Sequence, residues 1–307
     1  MKKEPGTWIE VVGLGQACVD YLGLIPEYPE EDGKTELAET HMLCGGPAST
    51  AMVTLQALGI KTSFLGSISD DHFGKMILQN LVKKGVDVSQ LKITPGYSSQ
   101  FAFIAISRGG KRTIFWHRGT TPPLKAEDVN LKYFPEARVL HMDGLMAEAC
   151  IEAARQAKAF GLTVVMDAGT WREGSKELCE LVDILIASAT FAAPLVGKDA
   201  PVEEALKALK SFGPQVVVIT QGAKGSVGLG PEGLVRQEAF QVEEVDTTGA
   251  GDVYHGAYIY QLLRGGSMAE CMRFASAAAA LNCTRIGAQA GIPALEEVEL
   301  LLETHSP

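Results

Sequence analysis

The chain has 307 residues, 46% hydrophobic and 21% charged, proportions of a globular protein with room for a large core. Its net charge of −10 argues against general nucleic-acid binding, which needs a basic stripe, but not against a small anionic ligand in a locally positive pocket. No apolar run follows the two N-terminal lysines, and none reaches the roughly 18 residues of a membrane span, so neither a signal peptide nor a membrane partner is expected.

In chain order, "WIEVVGLG" (8–15) reads as a first strand. "PASTAMVTLQALG" (47–59) has helical spacing and stops at Gly59. "KTSFLGSI" (61–68) reads as one further strand, and "DHFGKMILQNLVKKG" (71–85) as a helix closed by Gly85. Its Lys83 and Lys84 suit a solvated helix end. "ARVLHMDG", "LTVVMDAG", "VDILIAS" and "QVVVIT" are four more short β-branched runs, separated by helical stretches near 147–160, 172–181 and 201–212. Strands alternating with helices predict an α/β fold, a doubly wound and mostly parallel sheet flanked by helices. Segments 17–43 and 97–120 break the rhythm. The second reads as a hairpin turning at Arg108-Gly109-Gly110-Lys111, and the two together predict a small β-sheet lid on a single domain spanning 1–307. Residues 249–281 read as almost all helix, rich in small side chains. The six cysteines are scattered with no CxxC pair, so free thiols in a reducing cytoplasm are expected.

The stretch "EEVDTTGAGDVYHGAY" (243–258) carries the chemistry. Gly249, Ala250 and Gly251 open a helix with bare backbone, and the unpaired N–H groups of a first turn form an anion site. Asp252 in that place makes sense as a base facing a hydroxyl while a phosphoryl group rests on the N–H groups; the plainer reading is a first-turn acid complementing the helix dipole. No GxxxxGK[ST] loop exists, and Gly13-Leu14-Gly15 fails the dinucleotide fingerprint because Cys18 stands at the third glycine.

"DTTGAGDVYHGA" (246–257) resembles the C-terminal signature of the ribokinase/PfkB carbohydrate kinases, and "GGPASTAMVTLQALG" with "FLGSISDDHFG" (45–59, 64–74) the N-terminal one. "VVVITQGAKGS" (216–226) and "RFASAAAALNCTRIGAQAGIP" (273–293) resemble the nucleotide-side segments of the same family. The resemblance implies a ribokinase-like fold and an ATP- and magnesium-dependent sugar kinase acting on a primary hydroxyl. It implies Asp252 as base, with Gly249, Ala250 and Gly251 as anion hole. Asp20, Gly45, Gly46, Thr50 and the lid's Arg118 fall on the sugar side. Thr220, Gly222, Lys224, Gly225, Ala279, Asn282 and Cys283 fall on the ATP side. Asp246 and the Thr248 carbonyl resemble ligands of an activating potassium ion, and the lid resembles a homodimer surface.

Departures from the family pattern are specific. Thr50 stands where many members have an asparagine on the sugar. Ser188 and Phe191 replace the Asn-x-x-Glu motif that organises magnesium-bound water, and Gly291 brings no hydroxyl to the potassium site. The missing motif keeps a non-catalytic nucleotide or sugar sensor as the alternative. "YPEEDGKTE" and "GKRTI" resemble the ketohexokinase branch, and "CTRIGAQAGIP" the sulfofructose kinase-like branch, both of which implies a ketose or modified ketose. The arginine expected for a sulfonate is absent from "HMDGLMAE"; Lys111, Arg112 and Arg118 on the hairpin offer positive charge instead. His255, one turn after Asp252, reads either as a catalytic neighbour or as a packed histidine; Trp116-His117-Arg118 reads as a substrate cluster or an exposed hairpin face.

Overall fold

The computed structural model describes residues 8–107 and 109–305; Arg108, expected in the hairpin turn, lies outside them. The chain begins with β1 (Val11–Leu14), β2 (Cys18–Leu24), β3 (Glu39–Gly45), α1 (Pro47–Ala57), β4 (Thr62–Leu65), β5 (Ser67–Ser69), α2 (His72–Lys83) and β6 (Lys92–Thr94). The hairpin β7 (Phe101–Ile106) and β8 (Arg112–His117) follows, then β9 (Val139–Met142), α3 (Ala147–Ala159), β10 (Thr163–Ala168), α4 (Ser175–Leu181) and β11 (Ile184–Ser188). The remainder is α5 (Ala193–Val196), α6 (Val202–Lys210), β12 (Val216–Thr220), β13 (Ser226–Gly230), β14 (Gly233–Gln237), α7 (Ala250–Leu263), α8 (Met268–Asn282) and α9 (Leu295–Thr304).

An eight-stranded sheet runs β14-β13-β12-β11-β10-β9-β1-β4, parallel from β4 to β12 and antiparallel only at β13 and β14. Its strands are apolar on both faces because helices cover both: Val12 and Leu14 join one core cluster, Val11 the other. Each such side chain, once fully buried, contributes about 1.5–3 kcal/mol. Strand order reverses between β1 and β9, and a doubly wound sheet opens its ligand crevice at the C-terminal ends of strands at such a point.

A second sheet, β3-β2-β7-β8, stands over that edge. Alternation places Ala102, Ile104, Ile114 and Trp116 toward the crevice. Tyr21, Met42, Phe103 and Phe115 share the row on the other face. Helix α7 is buried almost all round, and its fit against α1 depends on Gly256: a Cβ there would meet Thr54 Cβ at 2.7 Å and the Ala51 carbonyl oxygen at 2.8 Å.

One element differs from the sequence expectation. "KTSFLGSI" divides at Gly66, since β4 belongs to the main sheet and β5 pairs with β6. The stretch 249–281, expected to be almost all helix, is α7 and α8, parted at Gly265 (φ +82°), with the Ser267 side chain capping the start of α8. Among the described residues, no helix is long and apolar enough to cross a membrane.

Candidate active site

The crevice is a cavity of about 480 Å³ between the main sheet and the lid. Gly249, Gly251 and Asp252 line it from the start of α7, and Asp20 and Gly46 from the root of the lid. Gly249 takes a left-handed conformation (φ +78°) that turns the chain from Thr248 into the helix. The Ala250 N–H donates back to the Thr247 carbonyl (3.3 Å), while Gly251 and Asp252 hold first-turn positions with no preceding helical turn to bond.

Asp20 is buried, and its Oδ1 accepts from the Cys18 thiol at 3.1 Å. Gly45 makes room for it: a Cβ on that residue would lie 2.0 Å from Asp20 Oδ2. Gly46 has φ +103° and passes so close to Gln16 that a Cβ would reach its carbonyl oxygen at 2.6 Å. The di-glycine is therefore required by a carboxylate and a backbone crossing. Gly13 and Gly15 have equally local causes, Met52 packing on the first and Asp143 on the second, where a Cβ would stand 2.1 Å from Asp143 Oδ2.

Asp143, Asp167, Gln16 and Arg172 also line the cavity and were not singled out from the sequence. The signal was present: "HMDG" and "VVMDAG" each put an acid at the C-terminal end of an apolar strand, where the crevice opens. Asp143 accepts from the N–H groups of Gln16 (2.6 Å) and Leu145 (3.0 Å), joining the ends of β1 and β9. Burial pushes both Asp20 and Asp143 up to about 6. These acids favour the folded state when neutral, so their contribution is full below the ordinary 3.8 and is lost as pH rises through about 6.

Burial also pushes Asp252 well above the usual carboxylate range, and the charge of Asp167 adds to the rise while Arg112 opposes it. Asp167 is likewise raised by burial, with His255 opposing. His255 Nδ1 stands 2.6 Å from the Gly251 carbonyl oxygen, and Nε2 stands 3.3 Å from that of Ile186 and 3.6 Å from Asp167 Oδ1. This histidine thus braces the turn that carries the catalytic candidates. Its neighbour His141, rings 5.8 Å apart, is pushed down to about 3 by burial and stays neutral.

The lid reaches the same turn. Arg112 Nη1 donates to the Thr247 carbonyl at 2.8 Å and also bonds its hydroxyl, and Thr247 Oγ1 donates to the Gly110 carbonyl at 3.2 Å. Arg118 lies over Trp116, 5.6 Å from the ring centroid.

Other expected residues sit around this centre. Thr220 lines the cavity, and its hydroxyl donates to the Ala187 carbonyl at 3.3 Å. Gly222 (φ +60°) and Lys224 are exposed on the turn beyond β12, whereas Gly225 passes so close to β14 that a Cβ would lie 2.0 Å from the Gln237 carbonyl oxygen. Ala279, Asn282 and Cys283, near the end of α8, do not line the cavity. Asn282 is fully buried and donates to the Thr248 carbonyl at 3.0 Å. Asp246 accepts from Thr248 N–H and Gly287 N–H, both at 2.8 Å. Thr50 is buried inside α1 and accepts from Gln289 Nε2 at 3.3 Å, so it stands apart from the cavity wall. Ser188 donates to the Gly169 carbonyl at 2.8 Å, and Phe191 is fully buried against Trp171.

Ribokinase of Haemophilus influenzae is 31% identical over 302 residues, covering 94% of this chain and 97% of that protein. The 5-dehydro-2-deoxygluconokinase of Shouchella clausii is 29% identical over 321 residues, covering 98% and 97%. The fold is shared with Arabidopsis thaliana ribokinase, solved with ribose and ATP, at a TM-score of 0.82 and 24% identity over 97% of this chain and 99% of that one. The family model described as pfkB family carbohydrate kinase matches residues 9–295, and the chain, with its "GAGD" turn on the cavity floor, belongs to that family of sugar kinases.

Proposed function

We propose that the protein transfers the γ-phosphoryl group of ATP to a primary hydroxyl of a sugar, a ketose or modified ketose. The observation that carries this reading is the convergence of Asp252, the Gly249–Gly251 turn and Asp20 on one cavity under the lid. Asp20 orients the acceptor hydroxyls, with Gly45 and Gly46 shaping its seat. Asp252 takes the proton as the hydroxyl oxygen attacks phosphorus in line, and the bond to the ADP oxygen breaks. The first-turn N–H groups steady the charge on the phosphoryl oxygens. Lid residues exclude water, which limits wasteful hydrolysis. ATP lies along Thr220, Gly222, Lys224 and Gly225 toward Ala279 and Cys283, with the fully buried Asn282 behind them, a reading supported by the ATP complex of the Arabidopsis ribokinase.

Magnesium suits the cleft because its carboxylates are hard oxygen donors. With Phe191 in the core, Asp167 is the residue that would hold its water shell beside the ATP phosphates, where it would neutralise developing charge. A potassium ion suits Asp246 and the Thr248 carbonyl, since Thr248 Oγ1 and Asn282 Oδ1 beside them are buried oxygens without a partner. The six free thiols suit a cytoplasmic setting.

The deciding experiment is ADP release with Mg-ATP across neutral sugars, keto-deoxy acids, sugar phosphates, sulfonated ketoses and nucleosides, in potassium and in tetramethylammonium salts. One acceptor is expected to stand far above background, faster with potassium. No acceptor-dependent release from folded protein would overturn the reading.

The same reading includes a homodimer through the lid. Tyr21, Met42 and Phe115 lie exposed in one row on the face turned away from the cavity. Light scattering at micromolar concentration should give about twice the 32.7 kDa chain mass. A single-chain mass throughout would exclude it.

A further inference from the structure

Four acids line the cavity, Asp20, Asp143, Asp167 and Asp252, and three arginines face them, Arg112, Arg118 and Arg172. In a chain of net charge −10 the cavity thus gathers three cations beside its acids. None of the three arginines pairs with a carboxylate among the described residues. Arg112 is occupied by Thr247. Arg118 is exposed, held only by stacking on Trp116, and Arg172 is exposed with no side-chain partner, its backbone N–H alone donating to Ser175 Oγ at 2.8 Å. The two come from opposite walls: Arg118 ends the lid hairpin, and Arg172 follows β10 on the main sheet.

We infer that Arg118 and Arg172 grip an anionic group on the acceptor, a carboxylate, sulfonate or phosphate at the end of the sugar away from the hydroxyl that is phosphorylated. The inference rests on the sugar-kinase reading and narrows its substrate to acidic sugars. The chemistry divides along the cavity. Asp20 and Asp252 can accept hydrogen bonds from hydroxyls but repel an anion. A guanidinium presents paired donors matched to the two oxygens of a carboxylate or the three of a sulfonate or phosphate. Arg118 is already flattened against an indole, so little side-chain freedom is lost when it binds. Because the two cations sit on different walls, an acid bound between them also ties the hairpin to the main sheet, which a neutral sugar cannot do. The nucleotide phosphates are the competing destination for these arginines, and the test must separate the two.

The test uses the full chain and matched acceptors: fructose, fructose 6-phosphate, 6-deoxy-6-sulfofructose and 2-keto-3-deoxygluconate. Calorimetry without nucleotide measures binding, and ADP release measures turnover. The intact protein is expected to favour at least one acid over fructose by about 100-fold or more in kcat/KM. Arg118→Ala and Arg172→Ala should each raise the KM of that acid by roughly 10- to 100-fold, typical of a lost charged hydrogen bond. The KM of ATP should hold within about twofold, and Arg172→Lys should recover only part of the loss. A preference for the neutral sugar overturns the inference, as does a rise in the ATP KM with that of the acceptor unchanged. The two readings fail differently. Acid binding that both variants weaken, without ADP release from any acceptor, overturns phosphoryl transfer and leaves the acidic-ligand site standing. Phosphorylation confined to neutral sugars does the reverse.

Discussion

Asp252→Asn is expected to lower kcat by roughly 10²- to 10⁴-fold while leaving the KM of both substrates nearly unchanged, because the amide keeps the size of the side chain and loses only the base. The fold should survive, since the substitution removes a charge that burial and the nearby Asp167 already disfavour. The pH profile gives a second readout. A base works ionised, so the wild-type rate falls as pH drops through the raised value of Asp252, and this acid limb begins above the ordinary carboxylate range. The residual rate of the variant should lack that limb. Turnover near wild type, with an unchanged melting temperature, would remove Asp252 from the mechanism.

Gly249→Ala is the second large effect. Its φ of +78° costs an L-residue on the order of 1 kcal/mol, and the added Cβ would stand 2.5 Å from Ala288 Cβ and 2.6 Å from Ala288 Cα. Backbone cannot yield as a flexible side chain can, so the turn must move, and the N–H groups of the next residues move with it. A fall in kcat of about 10²-fold is expected, the scale of losing an oxyanion-type donor. Gly265→Ala supplies the control: it carries a similar φ of +82° but would meet nothing within 4 Å and lies at the far end of α7. That variant should lose about 1 kcal/mol of stability and keep its kcat. Equal activity in the two variants would mean that the turn geometry is irrelevant to turnover.

Much of this molecule could be read before it was seen, and the reasons are local. "WIEVVGLG" and "LTVVMDAG" are short, β-branched and apolar, as strands covered on both faces must be. "GAGD" stood out because it sets bare backbone directly before a single acid at a helix start, although Gly249 is also required by its φ of +78° and by Ala288. The lid hairpin was legible because a Gly-Gly turn separates the strand-like runs "SQFAFIAIS" and "RTIFWHR", and β8 then faces the cavity with every second residue. What stayed hidden depends on which distant segments meet. Nothing local says that Asp143 joins the ends of β1 and β9, or that "KTSFLGSI" is shared between two sheets. Arg172 was not singled out because its place on the cavity wall comes from the loop after β10, not from its neighbours in sequence.

The bond from Arg112 to the Thr247 carbonyl joins the lid hairpin to the segment that leads into the Gly249–Gly251 turn, the cradle proposed for the phosphoryl group. Any acceptor that displaces the hairpin therefore perturbs the cradle, and linkage is reciprocal: a sugar that tightens ATP binding by some factor must itself be bound tighter by that same factor once ATP is present. The two substrates of this enzyme are then not independent variables. An affinity measured for one of them alone describes only one side of a thermodynamic square.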